Sequence, residues 1–312
     1  MRNSFGFPSQ NRRIVSALLP ALLLTAGLAA GMALLTSCTF DLDYDKYAIV
    51  YGISDYPGTA NDLSVAHSDA EAMEALFIDQ GFTVILKTDA AATKTELLGD
   101  FTAFSGATLD DLFVFYFSGH GSQADAGWDG GTETTPESDG LEEYIALYDD
   151  ELTDDALAQL LRAIPCARKV VVLDACFSGG FISNALAADA IPPEYYDGPK
   201  GIFGTLGDAI YLYANFQDYG SDIPPGEALV IAATGEQDVA YETDDNGVMT
   251  GFLLESATKA DYNFDDYITV SESYFYIYKN INKRFNQLYG ASGFAFFPHT
   301  SGGPVDYILF TK

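Results

Sequence analysis

Two short apolar runs, each ending in a glycine-flanked reactive residue, constrain this chain more than anything else in it. Residues 112–117 read Leu-Phe-Val-Phe-Tyr-Phe, and Gly119-His120-Gly121 follows. Residues 170–173 read Val-Val-Val-Leu, and Asp174-Ala175-Cys176 follows. Runs this short, β-branched or aromatic and bounded by turn residues, read as buried strands of a parallel sheet. In an open α/β sheet, chemistry collects at the carboxyl ends of the strands. A His and a Cys delivered to that edge can meet as base and thiol nucleophile. Gly119 and Gly121 are expected to let the chain turn sharply about His120, and Gly179-Gly180 to do the same after Cys176. A single strand-end Cys is more often a buried structural residue, and a single His more often a satisfied polar group. It is the pair in matching context that points to catalysis; His67 and His299 have no such glycines beside them.

The rest of the chain alternates in the same idiom. Residues 47–53, 82–87 and 228–233 read as further strands. A helix is expected over 63–80, where Ala66, Ala70, Met73 and Phe77 recur at helical spacing and Gly81 provides the stop. Another is expected over 93–104, opened by Thr93 with Glu96 three residues on. A third, over 153–163, opens with Thr153-Asp154-Asp155, whose carboxylates suit a helix N-terminus. The alternation predicts an α/β fold with a mainly parallel sheet and helices on both faces. Two long connections, 121–143 with the single Trp128 and 181–227 with five prolines, leave the predicted catalytic edge and read as walls or lids of a cleft.

The chain carries 45 Asp and Glu against 15 Lys and Arg, a formal charge of −30. Nucleic-acid phosphates would be repelled by such a surface, so nucleic acid is excluded as a partner. At the N-terminus, Arg2, Arg12 and Arg13 precede a nearly all-apolar stretch, 14–35, which reads as a targeting segment. Leu35-Thr36-Ser37-Cys38 resembles a bacterial lipobox. That resemblance implies a signal peptide over 1–37, a lipid-anchored Cys38, a tether over 38–45 and a place in the bacterial cell envelope. An uncleaved signal anchor is the alternative, since the stretch is long enough to span a bilayer. With Cys38 and Cys176 assigned, Cys166 is left before a buried strand, and no disulfide framework remains.

The two motifs also carry a family resemblance. Tyr116-Phe117-Ser118-Gly119-His120-Gly121-Ser122-Gln123 and Asp174-Ala175-Cys176-Phe177-Ser178-Gly179-Gly180 resemble the His and Cys motifs of caspase-like peptidases, specifically the metacaspase branch and its bacterial relatives. The likeness runs from about residue 46 to the C-terminus. It takes in Tyr56-Pro57-Gly58-Thr59-Ala60-Asn61-Asp62-Leu63 and Asp69-Ala70, and Ser301-Gly302-Gly303-Pro304-Val305-Asp306-Tyr307 looks like the family's last strand. The resemblance implies a caspase-like peptidase domain over 46–312 acting on peptide or protein substrates. His120 and Cys176 would be its dyad, and the backbone N–H groups of Gly121 and Cys176 its oxyanion hole. No third triad residue is evident.

Charge bears on specificity. A pocket for Asp needs buried arginines, yet the chain has no Arg between Arg13 and Arg162. It keeps Asp69 and Asp174, the two acids that the metacaspase resemblance assigns to an Arg or Lys pocket, with Ser118 as a lesser candidate. The plainer reading makes Asp69 a helix cap and Asp174 a strand-end hydrogen bonder. Lys200, in the second long connection, is then a candidate self-cleavage site.

A twelve-residue stretch, 261–272, follows the pattern of an EF-hand loop: Asp261, Asn263 and Asp265 at positions 1, 3 and 5, the Tyr267 carbonyl at 7, and Glu272 at 12. Calcium is therefore an expected cofactor, and no organic one is. Asp266 stands where glycine normally makes the turn; the alternative is an acidic turn before a helix over 271–285. A separate calcium site implied by the metacaspase resemblance would use Glu142, Asp154 and Asp155, but Ser183 stands where a further acid is expected. Two rivals to a basic-specific peptidase remain: a silent caspase-fold binding module, and a peptidase of another specificity.

Overall fold

The two apolar runs become the centre of a sheet. The protein is described by a computed structural model over residues 44–125, 141–182, 223, 227–235, 237–301 and 306–312. The targeting segment with Cys38, Trp128, Ser183, Lys200 and most of the second long connection lie outside the described residues. The chain runs β1 (Lys46–Gly52), α1 (Ala66–Asp79), β2 (Thr83–Thr88), α2 (Lys94–Ala103) and β3 (Leu112–Ser118). It continues through β4 (Gly121–Asp125), β5 (Leu141–Ala146), β6 (Glu151–Thr153), α3 (Asp154–Ala163) and β7 (Arg168–Asp174). Next come β8 (Leu229–Ala232), α4 (Val248–Lys259), β9 (Tyr267–Thr269), α5 (Val270–Asn280), β10 (His299–Thr300) and β11 (Ile308–Thr311).

Six strands form the main sheet in the order β10-β8-β7-β3-β1-β2. All its pairings are parallel except β10 with β8. Strand side chains alternate between faces, and two apolar layers result. Ala48, Val50, Val114, Tyr116, Val170 and Val172 pack toward α1, α4 and α5. Ile49, Tyr51, Phe113, Phe115, Val171 and Leu173 pack toward α2 and α3. Burying each such side chain contributes about 1.5–3 kcal/mol, so β3 and β7, covered on both faces, are the rigid middle that carries the two motifs.

The helix starts follow the expected caps. Thr93 accepts from the Glu96 N–H at the start of α2, and Thr153 from the Ala156 N–H at the start of α3. α1 begins at Ala66 rather than residue 63. The N–H groups of Ser64 and Val65, just before the helix, are taken by the Glu242 carboxylate, 3.0 and 3.3 Å away, and the first-turn N–H of His67 by the Ser54 hydroxyl at 3.0 Å, so groups distant in sequence hold this helix start. α4 has no counterpart in the sequence reading: Val248, Met249, Phe252, Leu253 and Ala257 recur at helical spacing, but the start has no capping side chain at Gly247 and Gly251 interrupts the first turns.

Two expectations are corrected. Ser301, Asp306 and Tyr307 are not in a strand; the strands β10 and β11 flank them, and 302–305 lie outside the described residues. The left-handed residue after the nucleophile position is Phe177 at φ 56°, not Gly179 or Gly180. The described ends of the first long connection lie in strands: β4 and β5, with β6, make a small antiparallel sheet that starts at Gly121, immediately after His120.

Candidate active site

Strand register brings His120 and Cys176 together. In the parallel β3–β7 pair, Ser118 lies opposite Asp174. His120 and Cys176 each lie two residues beyond that pair, so they leave neighbouring strands at the same edge. The Gly119 N–H donates to the Asp174 carbonyl at 3.2 Å, which continues the pairing past the strands. Gly121 then runs against Cys176 so closely that a Cβ there would collide with the Cys176 carbonyl oxygen. This glycine is needed for room rather than for an unusual φ. Both His120 and Cys176 are half-buried, as reactive groups that must meet substrate need to be.

The His120 ring is held from two sides. Its Nε2 lies 2.8 Å from the Asn61 carbonyl oxygen, which fixes Nε2 as the protonated nitrogen and leaves Nδ1 as the basic one. Tyr56 packs its ring 4.8 Å from the imidazole. Its hydroxyl accepts from the His120 backbone N–H at 2.9 Å and donates to the Ala146 carbonyl at 3.0 Å. The loop carrying Asn61 is itself anchored: Asp89 accepts from the N–H groups of Ser54 and Asp55, and Leu63 N–H donates to the Ser54 carbonyl. Asn61 and Tyr56 are the positioning groups that the motifs alone did not assign. A backbone carbonyl has no sequence signature; Tyr56 stood in the quoted motif without a role.

Burial pushes the Cys176 thiol up from its ordinary pKa. The Ala240 backbone N–H pulls it back, and the nearby Asp174 charge adds to the rise. Burial and the Asp174 charge thus both favour the thiol over the thiolate. Cys166 differs: it is buried, its thiol is pushed up to about 11 by burial, and both described cysteines are free.

Beneath this edge sit the predicted pocket acids. Asp69 is fully buried and Asp174 nearly so. Asp69 accepts from Ser118 Oγ at 3.0 Å, from Asn246 Nδ2 at 2.9 Å, and from the Gly247 N–H at 3.0 and 3.2 Å. Asp174 accepts from the Thr250 N–H and hydroxyl at 2.9 and 2.7 Å. Every one of these partners is neutral. A Cβ on Gly247 would lie 2.5 Å from Asp174 Oδ2 and 2.9 Å from Asp69 Oδ2, so both carboxylates converge on the bare start of α4. Burial raises Asp69 to about 6 against the pull of its three donors. Burial, then the Asp69 charge, raises Asp174 to about 7. Asn246, Gly247 and Thr250 escaped the sequence reading because α4 itself did.

The 261–272 loop belongs to another part of the fold, between α4 and α5. Asp261 and Asn263 each accept from the Asp265 N–H at 3.1 Å, and Asp265 accepts from Tyr267 N–H at 2.9 Å. Asp266 takes the left-handed conformation, φ 67°, that position 6 demands. Asp261 is paired with Lys312 at 3.3 Å. Glu272 closes a reciprocal capping box with Thr269, and burial raises its carboxyl. Among the described residues, no group of three or more His, Cys, Asp or Glu is placed to hold a metal ion. Glu142, Asp154 and Asp155 are buried on β5 and at the start of α3.

Comparison with known proteins agrees with the geometry. The profile of the caspase domain family matches residues 45–295. A crystal structure of a Geobacter sulfurreducens protein superposes with a TM-score of 0.57 at 22% identity, covering 86% of this chain and 98% of that one. Caspase-1 from Spodoptera frugiperda superposes with a TM-score of 0.52 at 12% identity, covering 88% of this chain and 95% of that one. No curated protein matches the sequence. With its mostly parallel sheet and the family match running across most of its length, the chain belongs to the caspase domain family of cysteine peptidases.

Proposed function

We propose that this protein is a metacaspase-type cysteine endopeptidase that cleaves after Arg or Lys, exported and held at the cell envelope by a lipid on Cys38. The observation that carries the reading is the shared edge: His120 and Cys176 each lie two residues past the paired Ser118 and Asp174, above two buried acids whose hydrogen-bond partners among the described residues are all neutral.

His120 Nδ1 takes the proton from Cys176 Sγ as the sulfur attacks the scissile carbonyl carbon. The carbonyl electrons move onto oxygen, and the oxyanion is met by the backbone N–H groups of Gly121 and Cys176. Collapse expels the amine, which takes its proton from His120 and leaves a thioester. His120 then draws a proton from water, which attacks the thioester and returns the thiol. The Asn61 carbonyl stabilises the imidazolium in both halves. A substrate guanidinium or ammonium at Asp69 and Asp174 supplies the missing cation. Neutralising Asp174 also removes one of the charges that keep the thiol protonated.

Calcium at the 261–272 loop belongs to this proposal only as a structural ion. The left-handed Asp266 and the converging Asp261 and Asn263 oxygens suit a cation. Asp261 is bound to Lys312 and Glu272 to its capping box, so the donor set is not gathered as it stands.

One experiment tests the reading. The purified protein and its Cys176→Ala variant are profiled on a peptide library, with and without calcium. Cleavage after Arg and Lys that Cys176→Ala abolishes is expected. Turnover surviving in Cys176→Ala defeats the mechanism, preference for Asp or Asn defeats the pocket, and no turnover at all favours a binding module.

A further inference from the structure

If a basic side chain is to reach Asp69, something must move, because Asp69 is fully buried. The three groups that donate to it are not equally free to leave. Ser118 is fixed in β3, at the centre of the sheet. The Gly247 N–H lies at the start of α4. Asn246 alone reaches Asp69 from a surface turn. Residues 242–247 form a small strap closed by a bridge between Glu242 and Gly247. The Thr243 hydroxyl donates to the Asn246 carbonyl at 2.8 Å and accepts from the Asn246 N–H at 3.2 Å. Residues 242–245 are exposed and Asn246 half-buried.

We propose that Asn246 is a specificity gate: its side-chain amide occupies on Asp69 the donor position that a substrate guanidinium or ammonium takes over. The inference rests on the reading of Asp69 and Asp174 as a pocket for basic side chains. The chemistry of exchange is like for like, an N–H donor replacing an N–H donor on a carboxylate. The difference is charge. An amide–carboxylate bond has one ionised partner, whereas a guanidinium– or ammonium–carboxylate bond has two and adds their mutual attraction out of bulk water, so a cationic side chain gains by displacing the amide. A neutral side chain of the same length exchanges one bond to the carboxylate for another of the same kind and still has to open the strap. Asn246 thus turns the charge of the substrate into selectivity, at some cost in affinity for every substrate.

The test uses benzamidine, a guanidinium-like probe, titrated calorimetrically into Cys176→Ala with and without Asn246→Ala. Kinetics on the active protein compare paired arginyl and citrullinyl peptides. Asn246→Ala should tighten benzamidine binding by at least about twofold and by no more than about a hundredfold, the upper value of one hydrogen bond to a charged group. It should also lower KM for the arginyl peptide and shrink the arginyl-to-citrullinyl preference. Thr243→Val, which loosens the turn without touching Asp69, should shift all three in the same direction by less, and decides the matter if Asn246→Ala does not fold. A merely structural role for Asn246, holding Asp69 in place, predicts the opposite: weaker benzamidine binding and a raised KM. Binding unchanged or weakened in these variants overturns the gate. If Asp174→Asn abolishes benzamidine binding in that same experiment, the gate fails alone. If the parent protein does not bind benzamidine, or cleaves arginyl and citrullinyl peptides equally, the basic pocket fails and takes the gate with it.

Discussion

Glu255 and the Asp69–Asp174 pair are both acids drawn partly out of water by folding, and they end with opposite chemistry. Around Glu255 the protein supplies its own cations. Lys259 and Arg284 reach Oε2 at 2.9 and 2.8 Å, and the Tyr276 hydroxyl joins them at 2.8 Å. Hydrogen bonding from Arg284 first, against burial, brings its pKa down to about 2. Around Asp69 and Asp174 the described residues supply hydroxyls, an amide and backbone N–H groups, and burial raises both acids. A buried carboxylate needs a counter-charge or a proton. Glu255 has the first built in. The pocket pair has neither in full, and a basic substrate is the simplest supplier.

The sharpest way to break this contrast is to remove one pocket charge. In Asp174→Asn the Thr250 hydroxyl and N–H retain a partner, so the fold should survive. A hydrogen bond to a charged group contributes about 1.5–3 kcal/mol, so kcat/KM on arginyl peptides should fall about ten- to hundredfold, with little change on citrullinyl ones. A second readout is independent of substrate. The Asp174 charge helps to hold the Cys176 thiol up, so the variant should be alkylated by iodoacetamide faster at a given pH. Equal losses on both peptides would show that Asp174 serves the fold rather than the pocket.

How much of this was legible beforehand depends on the distance over which each feature is encoded. The sheet centre was plain, because a buried strand writes its burial into consecutive residues, as 112–117 and 170–173 do. The His–Cys edge followed, because both residues sit at fixed offsets from those strands. The groups that finish the site come from elsewhere. The Asn61 carbonyl is a backbone atom, and any residue could supply it. Asn246 and Thr250 depend on α4, which starts at an uncapped Gly247 and meets Asp69 and Asp174 across more than seventy residues of chain. The start of α1 is held by the Ser54 hydroxyl and the Glu242 carboxylate, so it could not be read locally. The 261–272 loop is ambiguous for a different reason. Thr269 followed by Glu272 is at once the end of a calcium loop and a capping box. One Glu satisfies both patterns, and here it is bonded as the cap.

The two acid sites should also respond to pH with opposite sign. Asp69 and Asp174 have folded pKa values of about 6 and about 7, above their ordinary 3.8. The folded state therefore binds more protons than the unfolded one across that window. The stability they contribute is fully present below about pH 4 and is lost as pH rises through about 6 to 7. Glu255 is depressed from 4.5 to about 2. Its contribution is present above about pH 4.5 and is lost as pH falls toward 2. Thermal melts across this range should show Asp174→Asn flattening the neutral side of the profile and Glu255→Gln flattening the acid side. KM for arginyl peptides should fall as pH rises through 6 to 7, when the pocket ionises. A KM independent of pH there would mean that the pair is already ionised without a substrate.

The smallest effect comes from breaking the satisfied site. Glu255→Gln leaves Lys259 and Arg284 without their anion, but both are about half exposed, with side-chain exposures of 54% and 53%. Water and salt screen such pairs, and each typically contributes no more than about 1 kcal/mol. In a domain of this size that is about 2–4 °C in Tm, and the loss should shrink further in high salt. The site joins α4 to α5 and the chain beyond it, since Glu255 lies on α4 and Tyr276 on α5. α4 also carries Thr250 beneath the pocket. If Glu255 only stabilises, kcat/KM on arginyl peptides stays at the parent value while Tm falls. A drop in kcat/KM well beyond the stability loss would mean that the cation-filled site sets the position of α4, and that the two acid sites are mechanically joined rather than merely contrasted.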